Sequence, residues 1–297
     1  MNFRKKMLQV LTLESPAPHR ILLAPMVILL FTITIIPTLF AVYTSLHDYR
    51  LTEIDKPFVG LKNFSDVLTD GRFWNSFLNT GTYIIGALIP QLIIGLSLAL
   101  LMNKNFKGNK IGKSLFLLPT ITTPVVIGLI FIMMLDPQFG IINYLLTSLG
   151  LPMQTWLSNH NAAIWVLIGI DIWEWSPFVA LILFAGLQSL PQEPYEAASV
   201  DGASRWQSFF HLTLPFLSPY IIIACIFRFM DTFKWFDTIY VMTKGGPGTS
   251  TETMNMYAYM TGFRFLDMGH AAAISIIMLI MIIVLSQIIA KKSNILR

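Results

Sequence analysis

The sequence predicts an all-α membrane protein built on six transmembrane helices. Three observations carry that prediction. Of 297 residues, 55% are hydrophobic and only 12% are charged, about half the charge of an average soluble domain. Six apolar stretches each approach the roughly 20 residues that a helix needs to cross a bilayer. Lys and Arg then gather in alternate short loops, as they do in polytopic chains. Helix is the expected form, because a lipid-exposed backbone must satisfy its own polar groups.

The stretches run over about 21–45, 77–102, 114–135, 162–186, 217–242 and 270–290. The third opens on Pro119-Thr120-Ile121-Thr122-Thr123-Pro124. Its hydroxyls and two prolines suggest an irregular helix beside a path, or hydroxyls bonded back to their own helix. Segment 138–150 is too short to span and reads as a short surface or re-entrant helix. The N-terminal stretch 1–20 is basic but lacks the apolar core and cleavage site of a signal peptide. It reads as a retained cytoplasmic tail, and 291–297 as a second one. No linker or repeat divides 21–290, which reads as one membrane domain.

Orientation follows from the loop charges. Arg4, Lys5, Lys6 and Arg20, then Lys104, Lys107, Lys110 and Lys113, then Lys291, Lys292 and Arg297 fall on one side. The other side has Arg50, Lys56, Lys62 and Arg72 near the first span, none in 136–160, and Lys244 and Arg264 in the last loop. The first group is expected to be cytoplasmic. Both termini and the loop 190–215 then lie inside.

That loop is LPQEPYEAASVDGASRWQSFFHLTLP. Pro191 and Pro194 suit a helix start, and Glu193 and Glu196 suit the first turn of a helix dipole. Gly202 breaks this helix. Ser204 with Gln207 forms a capping box that starts a second one. Trp206, Phe209 and Phe210 then recur at helical spacing, and Pro215 is expected to end the helix. Two short helices joined at a glycine elbow would present an apolar stripe to water, a docking feature of the helix-in-groove kind.

Glu196-Ala197-Ala198, then Gly202, then Leu214-Pro215 resembles the EAA loop of binding-protein-dependent ABC importer permeases, with Leu212 where that pattern has Ile. Phe58-Val59-Gly60-Leu61-Lys62-Asn63-Phe64 resembles the F-x-G-L-x-N-Y/F element of the sugar-importer branch. Thr243-Lys244-Gly245-Gly246-Pro247 resembles its T-x-G-G-P signature. The resemblance covers about residues 20–290 and is to the maltose-type branch.

The resemblance implies a type I ABC importer permease fold in a bacterial inner membrane. It implies a second, homologous permease in a heterodimer, two copies of a cytoplasmic ATPase, and an extracytoplasmic solute-binding protein. The expected solute is a carbohydrate. Glu193, Glu196, Ala197, Ala198, Asp201, Gly202, Arg205, Trp206, Phe209 and Phe210 would couple to the ATPase. Loops 47–75 and 243–268, with Lys244, Gly245, Gly246 and Pro247, would meet the binding protein.

Ionisable groups inside spans are costly and mark pathways or pairings. Asp171 and Glu174 lie at i and i+3 on one helix face, beside Trp173 and Trp175. Carboxylates accept from hydroxyls and indoles pack on sugar rings. They could line a substrate path or pair with basic residues on other helices. Arg228, Asp231, Lys234 and Asp237, each three apart beside Phe233, either neutralise one another or form a polar wall. Asp231, Phe233 and Lys234, with Thr122 and Thr123, complete the expected pathway set.

Several functions are excluded on sequence. Gly108 to Ser114 mimics a phosphate loop, but three residues rather than four separate Gly108 from Gly112. ATP and Mg are therefore expected in the partner ATPase, with no cofactor in this chain. The five His are scattered without metal-ligand spacing. A lone Cys225 in an apolar segment is a packing residue. A net charge of +4 follows membrane topology and indicates no nucleic-acid partner. The chain is not expected to be an enzyme. A secondary transporter using Asp171, Glu174 and Asp231 as ion sites is the alternative from another class, and a membrane-bound enzyme the second.

Overall fold

The computed structural model describes residues 16–104 and 109–292, with side chains for 23–104 and 112–291. Arg4, Lys5, Lys6, Lys107, Gly108 and Arg297, assigned above on sequence, lie outside the described residues, as do residues 1–15 of the N-terminal tail and 293–297 of the C-terminal one.

The helices run in the expected order. They are α1 (Pro16–Ser45), α2 (Lys62–Thr69), α3 (Gly71–Met102), α4 (Asn109–Ile121), α5 (Pro124–Met134) and α6 (Ile141–Ser148). Next come α7 (Ala163–Gln188), α8 (Glu193–Val200), α9 (Arg205–Ser208) and α10 (Leu214–Phe233). The last are α11 (Asp237–Met242), α12 (Met254–Tyr259) and α13 (Met268–Lys292). Among the described residues, five helical segments are long and apolar enough to cross a membrane, six if the bent pair α4–α5 counts as one.

That pair breaks the stretch 114–135, expected as one span with an irregular start, near its middle. α4 and α5 meet at 97°, and Thr122 and Thr123 form the corner. Pro124 removes an N–H and pushes Thr123 into extended backbone, with ψ 138. α5 then restarts with Pro124 in its first turn. The fifth stretch is also broken. Its helix ends at Phe233, and Lys234, Trp235 and Phe236 turn the chain before α11. Asp237 therefore starts a new helix and does not extend the charge stripe of Arg228, Asp231 and Lys234.

Lipid chains are as apolar as leucine, so membrane helices associate through close contact more than through burial from water. Glycines permit that contact here. A Cβ on Gly95 of α3 would lie 2.5 Å from Val179 of α7. One on Gly186 of α7 would lie 2.5 Å from the Tyr220 ring of α10. Together α3, α7 and α10 enclose a core of Ala99, Val179, Leu183, Leu187, Leu217 and Ala224. A second core joins Phe73, Phe229, Phe233, Met254, Tyr257 and Ile274, linking α3, α10, α12 and α13. α1 leans on α13.

The Phe58–Phe64 element is a structural cap on α1. Asn63 is buried, and its amide donates to the carbonyls of Ser45 and His47, both at 2.8 Å. These are carbonyls that a helix end leaves unpaired. Gly60 takes φ +61, which lets its N–H reach Leu46 O at 3.1 Å. Phe58 lies edge-on against the His47 ring.

Candidate functional site

Two short helices and a glycine elbow form as the 190–215 sequence predicts. α8 carries Glu193, Glu196, Ala197 and Ala198, starting with Pro194 in its first turn. Gly202 takes φ +79, the left-handed region that side chains resist. The Ser204 hydroxyl accepts from the Gln207 N–H at 3.3 Å, and the Gln207 side chain accepts from the Ser204 N–H at 2.7 Å. Beyond the box, Trp206 and Phe210 stack at 6.0 Å with Phe209 edge-on to both. Trp206 is 72% exposed, Phe210 54% and Val200, across the elbow, 88%. Asp201 and Arg205 flank the elbow and are exposed.

The second helix does not end at Pro215. The chain widens into a π-turn over Phe209–Thr213 and runs on into α10. The Leu214 N–H bonds Phe209 O, five residues back. A wider turn accommodates a proline at the next position, which has no N–H to give. The exposed stripe is therefore helically continuous with a membrane span.

Deep in the bundle, Asp171 is paired. Arg228 donates to both of its carboxylate oxygens at 3.1 Å. Gln91 of α3 donates to Asp171 Oδ2 at 2.7 Å and accepts from Arg228 Nε at 3.0 Å. All three are buried, so α3, α7 and α10 are joined by one polar knot. Sequence alone left Asp171 open between pathway and pairing. Its position here is pairing.

Glu174 shares that buried face, yet neither carboxylate oxygen has a hydrogen-bond partner among the described residues. The Tyr83 hydroxyl and the indole N–H groups of Trp156, Trp175 and Trp235 are likewise buried and unpartnered. Trp175 packs at right angles to Trp235, 6.0 Å apart, and the Arg228 guanidinium lies 4.8 Å from the Trp175 ring centre. Tyr83, Trp156, Trp175 and Trp235 belong to one packed cluster with Ile168, Ile170 and Ile172 of α7. The Thr120 hydroxyl donates to Glu174 O from α4.

Trp173 points the other way. It is half exposed and lines an open apolar groove of about 650 Å³ with Leu98, Phe116, Pro119, Thr122 and Pro177. Thr123 is exposed at the α4–α5 corner. Asp231 is partly exposed, with Arg228 at 3.8 Å and the exposed Lys234 at 3.6 Å. Phe233, expected on the path beside them, is buried against Phe229 and Tyr257 instead. One helical step of about 100° turns it from the face that Lys234 occupies.

The Thr243–Pro247 signature forms a tight turn. Lys244 takes φ +51 and Gly245 φ +89. The Thr243 and Thr251 hydroxyls pair at 2.7 Å, and Thr251 donates to Gly246 O at 2.8 Å. Lys244 is exposed at the tip, while Gly245 is buried against Glu252 and Met256. Among the described residues no group of His, Cys, Asp and Glu could hold a metal ion.

Comparison with known proteins adds a family match, two relatives and a solved structure. A family model described as binding-protein-dependent transport system inner membrane component matches residues 91–292. The trehalose/maltose transport system permease protein MalF of Thermococcus litoralis is 34% identical over 263 residues, 89% of each chain. The sulfoquinovosyl glycerol transport system permease protein SmoG of Agrobacterium fabrum is 38% identical over 259 residues, 87% of this chain and 84% of that relative. A solved bacterial ABC transporter involved in import of the acidic polysaccharide alginate contains a chain similar in fold. The TM-score is 0.81 at 23% identity, covering 93% of this chain and 96% of that one.

Proposed function

This chain belongs to the family of binding-protein-dependent transport system inner membrane components, and we propose that it works as half of a heterodimeric pore for a carbohydrate. It is a permease component of an ABC transporter, with the fold of such a subunit. The alternative of an ion-gradient carrier finds no support in these relatives. ATP hydrolysis resides in a separate cytoplasmic ATPase, present in two copies, each taking one elbow. An extracytoplasmic binding protein delivers the solute. The termini and the elbow lie on the cytoplasmic side.

The observation that carries this reading is the exposed Trp206–Phe209–Phe210 stripe, helically continuous with α10. A bare aromatic surface in water is costly, and one rigidly joined to a span can move it. ATP-driven closure of the ATPases shifts the elbow, and the span moves with it. The ATPase must bind one permease state better than the other for this to shift anything. The carbohydrate assignment rests on the named solutes of relatives and on the buried, unpartnered carboxylate, indole and phenol groups of the bundle.

The test is reconstitution of this chain, its sister permease and the ATPase in sealed vesicles. Uptake should require ATP and the binding protein. Trp206→Ala with Phe210→Ala should weaken ATPase retention by roughly 30-fold, the scale of an aromatic anchor, while membrane insertion persists. Uptake driven by an ion gradient without the ATPase overturns the reading.

A further inference from the structure

The geometry points to Arg72 as the residue that positions the 243–253 loop, fastening it to the outer end of α3 in addition to the helix from which it issues. The inference rests on the reading of that loop as the surface met by a binding protein.

Arg72 holds Glu252 through two parallel bonds, Nε to Oε2 at 2.8 Å and Nη2 to Oε1 at 2.6 Å. The Glu252 side chain is only 3% exposed, so the pair is largely withdrawn from water on its acidic side. Two-point pairing fixes direction as well as distance. The guanidinium is itself held in place, 5.1 Å from the Tyr257 ring centre and 5.3 Å from that of Phe265. Tyr257 in turn donates to Asp70, the N-cap of α3.

The same face of α3 reads the loop twice more. Asn75 donates to Thr249 O at 3.1 Å. Asn79 donates to Thr249 O at 2.9 Å and to Glu252 O at 3.1 Å. Residues 72, 75 and 79 are one helical stripe. Thr80 extends it, accepting from the Met254 N–H at 2.9 Å. At the far side of Glu252 lies Gly245, where a Cβ would sit 3.4 Å from that of Glu252. Lys244, next in the chain, is the exposed tip.

A push on Lys244 therefore reaches α3 through Gly245, Glu252 and Arg72. α3 carries Gln91, which joins α7 and α10 through Asp171 and Arg228. The route is a series of packed and hydrogen-bonded groups. It is a coupling only if loop docking and bundle state bias each other.

The test uses the full complex in lipid discs, titrated with the solute-binding protein that stimulates the wild type. Arg72→Met should leave assembly and basal ATP hydrolysis within about twofold. It should raise the binding-protein concentration for half-maximal stimulation by roughly tenfold, within the usual range of coupling between sites. Arg72→Glu combined with Glu252→Arg should recover most of that loss. An unchanged half-maximal concentration in Arg72→Met overturns the inference while leaving the transport reading intact. Equal loss of basal and stimulated activity without recovery in the swap also overturns it, because Arg72 would then be a stability residue. A wild-type complex that no binding protein stimulates sinks the functional reading and this inference together.

Discussion

Arg228 on α10 donates to both carboxylate oxygens of Asp171 on α7 at 3.1 Å, and neither side chain reaches solvent. Two full charges at that depth are tolerable because each answers the other and Gln91 bonds to both. The knot crosses three helices that also pack tightly at Gly95 and Gly186. It fixes the relative register of those helices in a medium where apolar contact alone is undirected.

Removing one partner leaves the other charge buried and alone. Arg228→Met or Asp171→Asn should each cost about 3–5 kcal/mol, read as a lower thermal unfolding midpoint in detergent. Arg228→Met with Asp171→Leu should recover much of the loss, since no charge is then stranded. A midpoint in Arg228→Met equal to wild type would remove the knot from any structural role.

Asn63 gives a second expectation. Asn63→Leu strands the buried carbonyl of Ser45 and the partly buried one of His47, at roughly 1–3 kcal/mol for an unsatisfied buried group. Asn63→Asp should be worse, because its carboxylate faces two carbonyl oxygens. Limited proteolysis within 47–60 reads the loosening directly, and unchanged cleavage rates in both variants would count against the cap.

A third concerns acid. Burial works against the charge of Asp267, but hydrogen bonds from the His270 ring and backbone, with the charges of His270 and Arg50, outweigh it and hold the carboxyl below its usual 3.8. Asp136 is held below 3.8 by the backbone N–H groups of Phe139 and Gln138, both at 2.8 Å. A depressed folded-state value means that the unfolded chain binds more protons. The stabilisation is therefore complete above about pH 4 and is lost as pH falls further. Asp267→Asn should lower the unfolding midpoint at pH 7, and the gap to wild type should close toward about pH 3. A gap that stays constant from pH 7 to pH 3 would show that the Asp267 charge contributes nothing.

Much of the architecture was legible in the residues. The elbow is a local matter: Gly202, the Ser204–Gln207 box and the first-turn prolines act within a few residues. The π-turn before Pro215 escaped because a proline in an apolar helix ordinarily signals a stop. The bend at Thr122–Thr123 was legible only as irregularity, since two prolines do not specify an angle. The Arg72–Glu252 clasp joins positions 180 apart, and no periodicity within either segment points to the other.

By itself, the sequence determined that this chain is a membrane protein of long apolar helices, and that a glycine-hinged segment with an aromatic stripe joins two of them. Those properties follow from local hydropathy, charge and backbone preference. Only the tertiary structure decided which polar groups answer each other: Asp171 with Arg228 and Gln91, Asn63 with the end of α1, and Glu174 with none among the described residues. Pairing across helices depends on which faces meet. Side chains far apart along the chain set that, through the close contacts their sizes allow.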